Sequence, residues 1–86
     1  LIWAAVSGHI EVVEALLAAG ADIEEADEEG NTALIGAAGM GHIKVVEALL
    51  AAGASTQRFN EDGQTALVAA ACFEHTEVVS MLKKLL

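Results

Sequence analysis

The chain repeats itself at an offset of 33 residues. Gly8-His9-Ile10 recurs as Gly41-His42-Ile43, and His75 falls at the next interval. Val12-Val13 returns as Val45-Val46 and Val78-Val79, Leu16 as Leu49 and Leu82, and Ala4-Ala5 as Ala37-Ala38 and Ala70-Ala71. Gly20 matches Gly53, Gly30 matches Gly63, and Thr32 matches Thr65. Between Gly8 and Ala21 a single position, Glu11 against Lys44, differs from the next copy. A unit this short cannot bury its own apolar face, so its neighbours must cover it, and the interfaces between copies carry much of the stability. The chain is thereby confined to a quasi-linear stack, and its 86 residues allow one such domain.

Each period divides into a short helix, a turn, a longer helix and a polar loop. Thr32 and Thr65 stand where a hydroxyl can cap the first turn of a helix. The short helices Leu1–Val6, Ala33–Gly39 and Ala66–Cys72 are expected to precede the longer ones, Ile10–Ala19, Ile43–Ala52 and Thr76–Leu85. In the middle copy Ile43, Val46, Ala48, Leu49 and Leu50 fall on one broad face and Lys44, Glu47 and Ala51 on the other. Gly20 and Gly53 end the longer helices, where a left-handed residue is least costly. Ala21–Glu29 and Ala54–Asp62 then connect one copy to the next as extended or hairpin-like loops. The alanine pairs present one-carbon side chains, so neighbouring helices can approach closely along a narrow seam. The units run 1–26, 27–59 and 60–86, and the fold class is all-α.

Gly-x-Thr-x-Leu-x-x-Ala-Ala, Gly-His-x-x-Val-Val and Leu-Leu-x-x-Gly-Ala-Asp, at this period, resemble the ankyrin repeat. The resemblance covers the whole chain and implies a helix-turn-helix solenoid that binds other proteins, with no enzyme activity and no cofactor. Two departures stand out. The family's Thr-Pro-Leu-His is here Thr32-Ala33-Leu34-Ile35 and Thr65-Ala66-Leu67-Val68. Ile35 and Val68 can replace the family's imidazole only by packing. The asparagine that commonly follows Gly-Ala-Asp is replaced by Glu24 and Gln57, so its hydroxylation is not expected.

In the family, partners meet the loop tips and the exposed side of the shorter helices. That places partner contacts at Trp3, Ser7, Glu25, Glu28, Glu29 and Asn31, and further along the stack at Met40, Arg58, Glu61, Asp62, Gln64 and Phe73. Trp3, Met40 and Phe73 would supply apolar anchors beside an acidic rim; the plainer reading is that Trp3 and Phe73 pack between helices. Thirteen acidic residues against four basic ones give a net charge of −9. That balance disfavours nucleic acid, whose affinity comes from neutralising phosphates, and anionic membranes for the same reason. A protein with a basic surface is the expected partner. No apolar run is long enough to span a bilayer.

No catalytic constellation occurs: there is no phosphate-cradling glycine loop, nucleophile elbow or His-Glu-x-x-His pair. His9, His42 and His75 recur one unit apart, at about 10 Å for packed helices, too far to share a metal at about 2 Å. A calcium loop needs a mid-loop glycine and a closing glutamate; after the acidic run Asp22, Glu24, Glu25, Asp27, Glu28 and Glu29 the glycine is Gly30, with no ligand glutamate at the required place beyond it. The run's simplest role is a solvated loop. Cys72 is expected to fill a small apolar space. A single cysteine fits a reducing, cytoplasmic setting.

At the ends the copies diverge. Lys83 and Lys84 stand where Leu50 and Ala51 do, which suggests that the stack stops there, and they complement the negative end of the last helix. At the other end Leu1, Ile2, Val12, Val13, Leu16 and Leu17 form an internal-type copy with nothing before it, predicting an exposed apolar face. Since the chain opens on Leu1 and not Met, a larger parent or a trimmed fragment is expected. Self-association through that N-terminal face, as a structural scaffold, is the alternative to a dedicated binding module. The near-identity of Gly8–Ala21 and Gly41–Ala54 also raises an engineered repeat protein without a natural ligand, against which the divergent loops Ile23–Glu29 and Thr56–Asp62 speak.

Overall fold

The computed structural model describes residues 1–85; Leu86, the last residue of the expected third unit, lies outside them. Among these residues the chain forms α1 (Ile2–Val6), α2 (Ile10–Ala18), α3 (Ala33–Met40), α4 (Ile43–Ala51), α5 (Ala66–Cys72) and α6 (Thr76–Lys83). They pair as α1–α2, α3–α4 and α5–α6, and the pairs stack. The odd-numbered helices form one row and the even-numbered helices another, each helix touching its counterpart in the next pair. Among the described residues no helix is long and apolar enough to cross a membrane.

Local chemistry fixes the helix ends. Thr32 is extended (φ −85°, ψ 171°), and its Oγ1 accepts the Ile35 amide at 3.3 Å; Thr65 does the same for Val68 at 3.3 Å. The longer helices end at Ala18 and Ala51, one residue earlier than expected, with Ala19 and Ala52 as their C-caps and Gly20 and Gly53 following at positive φ. The last helix ends at Lys83 and not at Leu85, which sits in an exposed turn with its amide on the Leu82 carbonyl at 3.1 Å. Conversely, α3 runs one residue further than expected, to Met40, before Gly41 turns the chain.

Burial follows position in the stack as well as residue type. Val12 is exposed while its counterparts Val45 and Val78 are fully buried, so this position faces back towards the preceding unit. Val45 therefore belongs to the core, although helical spacing alone left it off the apolar face. Val13 and Val46 are buried and Val79 half-buried, which makes their position the forward-facing one. Ala71 is exposed for the same reason, whereas Ala5 and Ala38 are fully covered. The seam of alanines is thus closed twice and open at its end. The N-terminal face is only partly bare: Val12 is exposed, Val13 is buried, and Leu1, Ile2, Leu16 and Leu17 are half-buried. Ile35 is 3% exposed and does replace hydrogen bonding by packing, but Val68, with no unit to cover it, is 43% exposed and does not.

Candidate partner-binding groove

The loops between helix pairs are built on one turn design, used twice. In the first, Asp27 Oδ1 accepts the amides of Glu29 and Asn31, each at 2.9 Å, while the Asp27 amide donates to the Asn31 carbonyl at 3.0 Å. Ala26 and Thr32 form a single antiparallel bridge that closes the loop as a hairpin. One unit later Asn60 Oδ1 accepts from Asp62 at 3.0 Å and Gln64 at 2.9 Å. A short side-chain acceptor that caps amides further along the chain holds a tight turn without a strand partner.

Asparagine at the second position adds what aspartate cannot. Its Nδ2 donates to Asn31 Oδ1 at 2.9 Å and to Gln64 Oε1 at 3.2 Å, and the neighbouring Glu61 amide reaches the Glu29 carbonyl at 2.9 Å. Asn60 is buried, so its full hydrogen-bonding capacity is used where leaving any of it unmet would be costly. The loops are joined a second time through Glu24. Its Oε2 accepts the Ser55 amide at 2.8 Å, and Arg58 lies 3.6 Å from Oε1 while donating to the Glu24 carbonyl at 3.2 Å. The two loops behave as one ledge.

That ledge overhangs the short helices and leaves a groove of about 350 Å³. Gly36, Gly39 and Ala69 give it a shallow floor, Met40 and Phe73 stand along it, and Asp27, Glu29 and Asp62 line the loop side with no cation among the lining residues. Gly36 is required by its surroundings, since an added Cβ would come within 2.6 Å of Val6 Cγ2. Gly39 is not, because a Cβ there would meet Ala69 Cβ only at 3.7 Å, so its bareness deepens the groove without serving packing. A larger recess of about 840 Å³ lies at the open end of α5 and α6, lined by Ala71, Glu74 and Lys83 among others. It is the uncovered end of the stack.

Of the residues assigned to partner contact from the sequence, Glu29, Asn31, Met40, Asp62, Gln64 and Phe73 line the groove. Asn31 and Gln64 are already bonded to Asn60, and Gln64 Nε2 also reaches Cys72 Sγ at 3.4 Å. Cys72 is exposed and fills no apolar space, because its forward-facing end of α5 has nothing stacked upon it. Arg58 is held by Glu24. Trp3, Ser7, Glu25, Glu28 and Glu61 are exposed beyond the groove lining. Ser7, Met40 and Phe73 occupy one position in successive units, as do Trp3, Gly36 and Ala69, so Ser7 and Trp3 extend the groove's two rows towards the N-terminus. Neither Trp3 (68% exposed) nor Phe73 (65%) packs between helices; Trp3 lies against His9, ring centroids 5.2 Å apart. Asn60 and the exposed Phe59 escaped the sequence-based selection. Recurrence with Asp27, itself in the acidic run, was the available signal for Asn60.

The recurring histidines hold units together. His42 Nε2 lies 2.9 Å from the Val6 carbonyl and His75 Nε2 3.0 Å from that of Gly39. A carbonyl only accepts, so each Nε2 carries the proton and donates. The rings rest on glycine: a Cβ on Gly8 would come within 2.7 Å of His42, and one on Gly41 within 2.5 Å of His75. Among the described residues no three His, Cys, Asp or Glu side chains converge on a common point.

No curated protein matches the chain significantly. The family model for ankyrin repeats in three copies matches residues 1–85. The period, the paired helices, the hairpin ledges and the imidazole ties between units agree with that match over its whole length, and the chain belongs to the ankyrin-repeat family.

Proposed function

We propose that this domain binds a partner protein with a basic surface, through the groove between the loop ledge and the short helices. Ankyrin repeats are in general protein–protein interaction modules. The observation that carries the finer reading is a groove lined by Asp27, Glu29 and Asp62 with no cation, along which Met40 (55% exposed) and Phe73 stand out from the surface. Large exposed apolar side chains beside uncompensated carboxylates suit a segment that alternates apolar and basic residues. Burial of the apolar ones supplies affinity, and the charges steer approach and fix register. Glu25, Glu28 and Glu61, on the outer lip, extend the same field, while Trp3 and Ser7 lengthen the contact row. Asn31, Gln64 and Arg58 act chiefly by holding the ledge in shape. No step of bond-making belongs to this reading.

The test is selection of peptides from a random display library on the immobilised domain. Enrichment of sequences combining Lys or Arg with Leu, Phe or Met, whose association slows as salt rises, supports the reading. Enrichment of acidic sequences, or binding indifferent to both salt and Phe73→Ala, contradicts it.

A further inference from the structure

Two glycines stand one helical turn apart on α3, and only the first is explained by the domain's own packing. Gly36 is bare because Val6 of the preceding unit lies over it, so close that an added Cβ would come within 2.6 Å of Val6 Cγ2. Gly39 faces Ala69 of the following unit, but a Cβ there would meet the Ala69 methyl at 3.7 Å, an ordinary contact. Alanine would fit. It would also suit the helix better, since Gly39 lies within the right-handed α3, where glycine only adds freedom to the unfolded chain. The repeat does not demand glycine either, because Val6 and Cys72 hold the same position in the neighbouring units. Helix α3 belongs to the middle unit and packs against both α1 and α5, so the gap at Gly39 is a property of an inner seam.

That seam is underfilled compared with the one before it. Val6 over Gly36 brings an isopropyl group, whereas Gly39 over Ala69 brings a single methyl. The missing hydrocarbon leaves a notch that opens on the groove, whose lining includes Gly39, Ala69, Met40 and Phe73. Water has little to gain there. The Gly39 carbonyl is engaged by His75 Nε2 at 3.0 Å, and the side chains of Ala69, Met40 and Phe73 offer no strong hydrogen-bonding group. A space of this kind favours hydrocarbon.

We infer that Gly39 sets the size of the apolar residue that the partner segment presents to the groove. Its missing methyl makes room for the tip of a Leu, Met or Phe side chain, laid beside Met40 and Phe73 and flanked by the Lys or Arg residues that Asp27, Glu29 and Asp62 attract. The inference rests on the groove reading and deepens it, from a segment of mixed apolar and basic character to one with a large apolar residue at a fixed place. Selection is steric: a methyl added at Gly39 would take the space of that residue's deepest carbon, and a packed contact tolerates overfilling poorly. A residue as small as alanine does not reach the notch and is indifferent to the change.

The experiment uses the tightest-binding peptide from the display selection on the wild-type domain, with versions in which each apolar residue is cut in turn to alanine. Dissociation constants are measured on the wild-type, Met40→Ala and Gly39→Ala domains, and the melting temperature of each domain is recorded. Gly39→Ala should keep or raise the melting temperature while weakening the full peptide about tenfold. For one truncated peptide that penalty should vanish, wild-type and Gly39→Ala domains agreeing within about twofold. A change acting only through the fold would penalise every peptide alike. A penalty that survives every truncation overturns the inference, as does a lowered melting temperature. If Met40→Ala weakens the full peptide and Gly39→Ala does not, the inference fails alone; if neither does, the groove reading fails with it.

Discussion

Gly41 and Gly53 offer a controlled comparison of strain with and without a neighbour. Both have positive φ, +75° and +92°, but a Cβ on Gly53 would meet nothing within 4 Å, whereas one on Gly41 would lie 2.5 Å from His75 Nδ1. Replacing Gly53 by Ala therefore costs only the left-handed backbone, about 1–2 kcal/mol. Replacing Gly41 by Ala costs the same and also displaces the imidazole, with loss of its bond to the Gly39 carbonyl, about another 1 kcal/mol, and of seam packing. The total is about 2–4 kcal/mol, a large part of the roughly 4–13 kcal/mol expected for a domain of this size. Urea denaturation followed by circular dichroism reads the difference as a midpoint shift at constant slope. Repeating Gly41→Ala in a His75→Ala background closes a double-mutant cycle. There the cost should fall to that of Gly53→Ala. Equal costs for the two glycines, or no coupling to His75, would refute the seam argument.

Glu74→Gly should stabilise the domain by about 1 kcal/mol, since glycine relieves the left-handed strain and the Glu74 side chain makes no hydrogen bond; a melting point raised by about 4–8 °C would show it. Ala33→Pro and Ala66→Pro should each add about 0.4–1 kcal/mol, because each follows an extended threonine (ψ 171° and 173°) that suits a residue before proline; thermal denaturation checks it. Asn60→Asp keeps the turn acceptor but loses both Nδ2 donors and buries a carboxylate beside Asn31 and Gln64. It should cost about 1–3 kcal/mol and speed amide exchange at Glu61 and Gln64, as measured by hydrogen exchange.

The repeat, the helix pairs and the threonine caps were legible in the sequence because each rests on interactions within a unit or on residues that recur. What escaped depends on what lies next to a residue in the stack. Val45 and Val12 share one motif and one spacing yet differ completely in burial, since only one has a unit before it. Cys72 and Val68 look like core residues and are exposed for the converse reason. Half of the candidate contact residues line the groove because loop tips and short helices follow directly from the period. The ledge was not legible: recurrence with Asp27 points to the turn at Asn60, but nothing in the sequence announces the Glu24–Arg58 and Asn60–Asn31 contacts that join neighbouring loops.

The central claim is that partners engage the groove and not the outer row of helices. With a peptide selected on the wild-type domain, two sets of alanine variants are compared by surface-plasmon kinetics. Met40→Ala and Phe73→Ala should each weaken binding by about 2 kcal/mol or more, mainly through faster dissociation. Glu29→Ala and Asp62→Ala should mainly slow association. Variants at the exposed outer positions Glu14, Glu47 and Ser80 should bind as wild type. Weakened binding in the outer set, with Met40→Ala and Phe73→Ala unaffected, would place recognition on the opposite face and contradict the account.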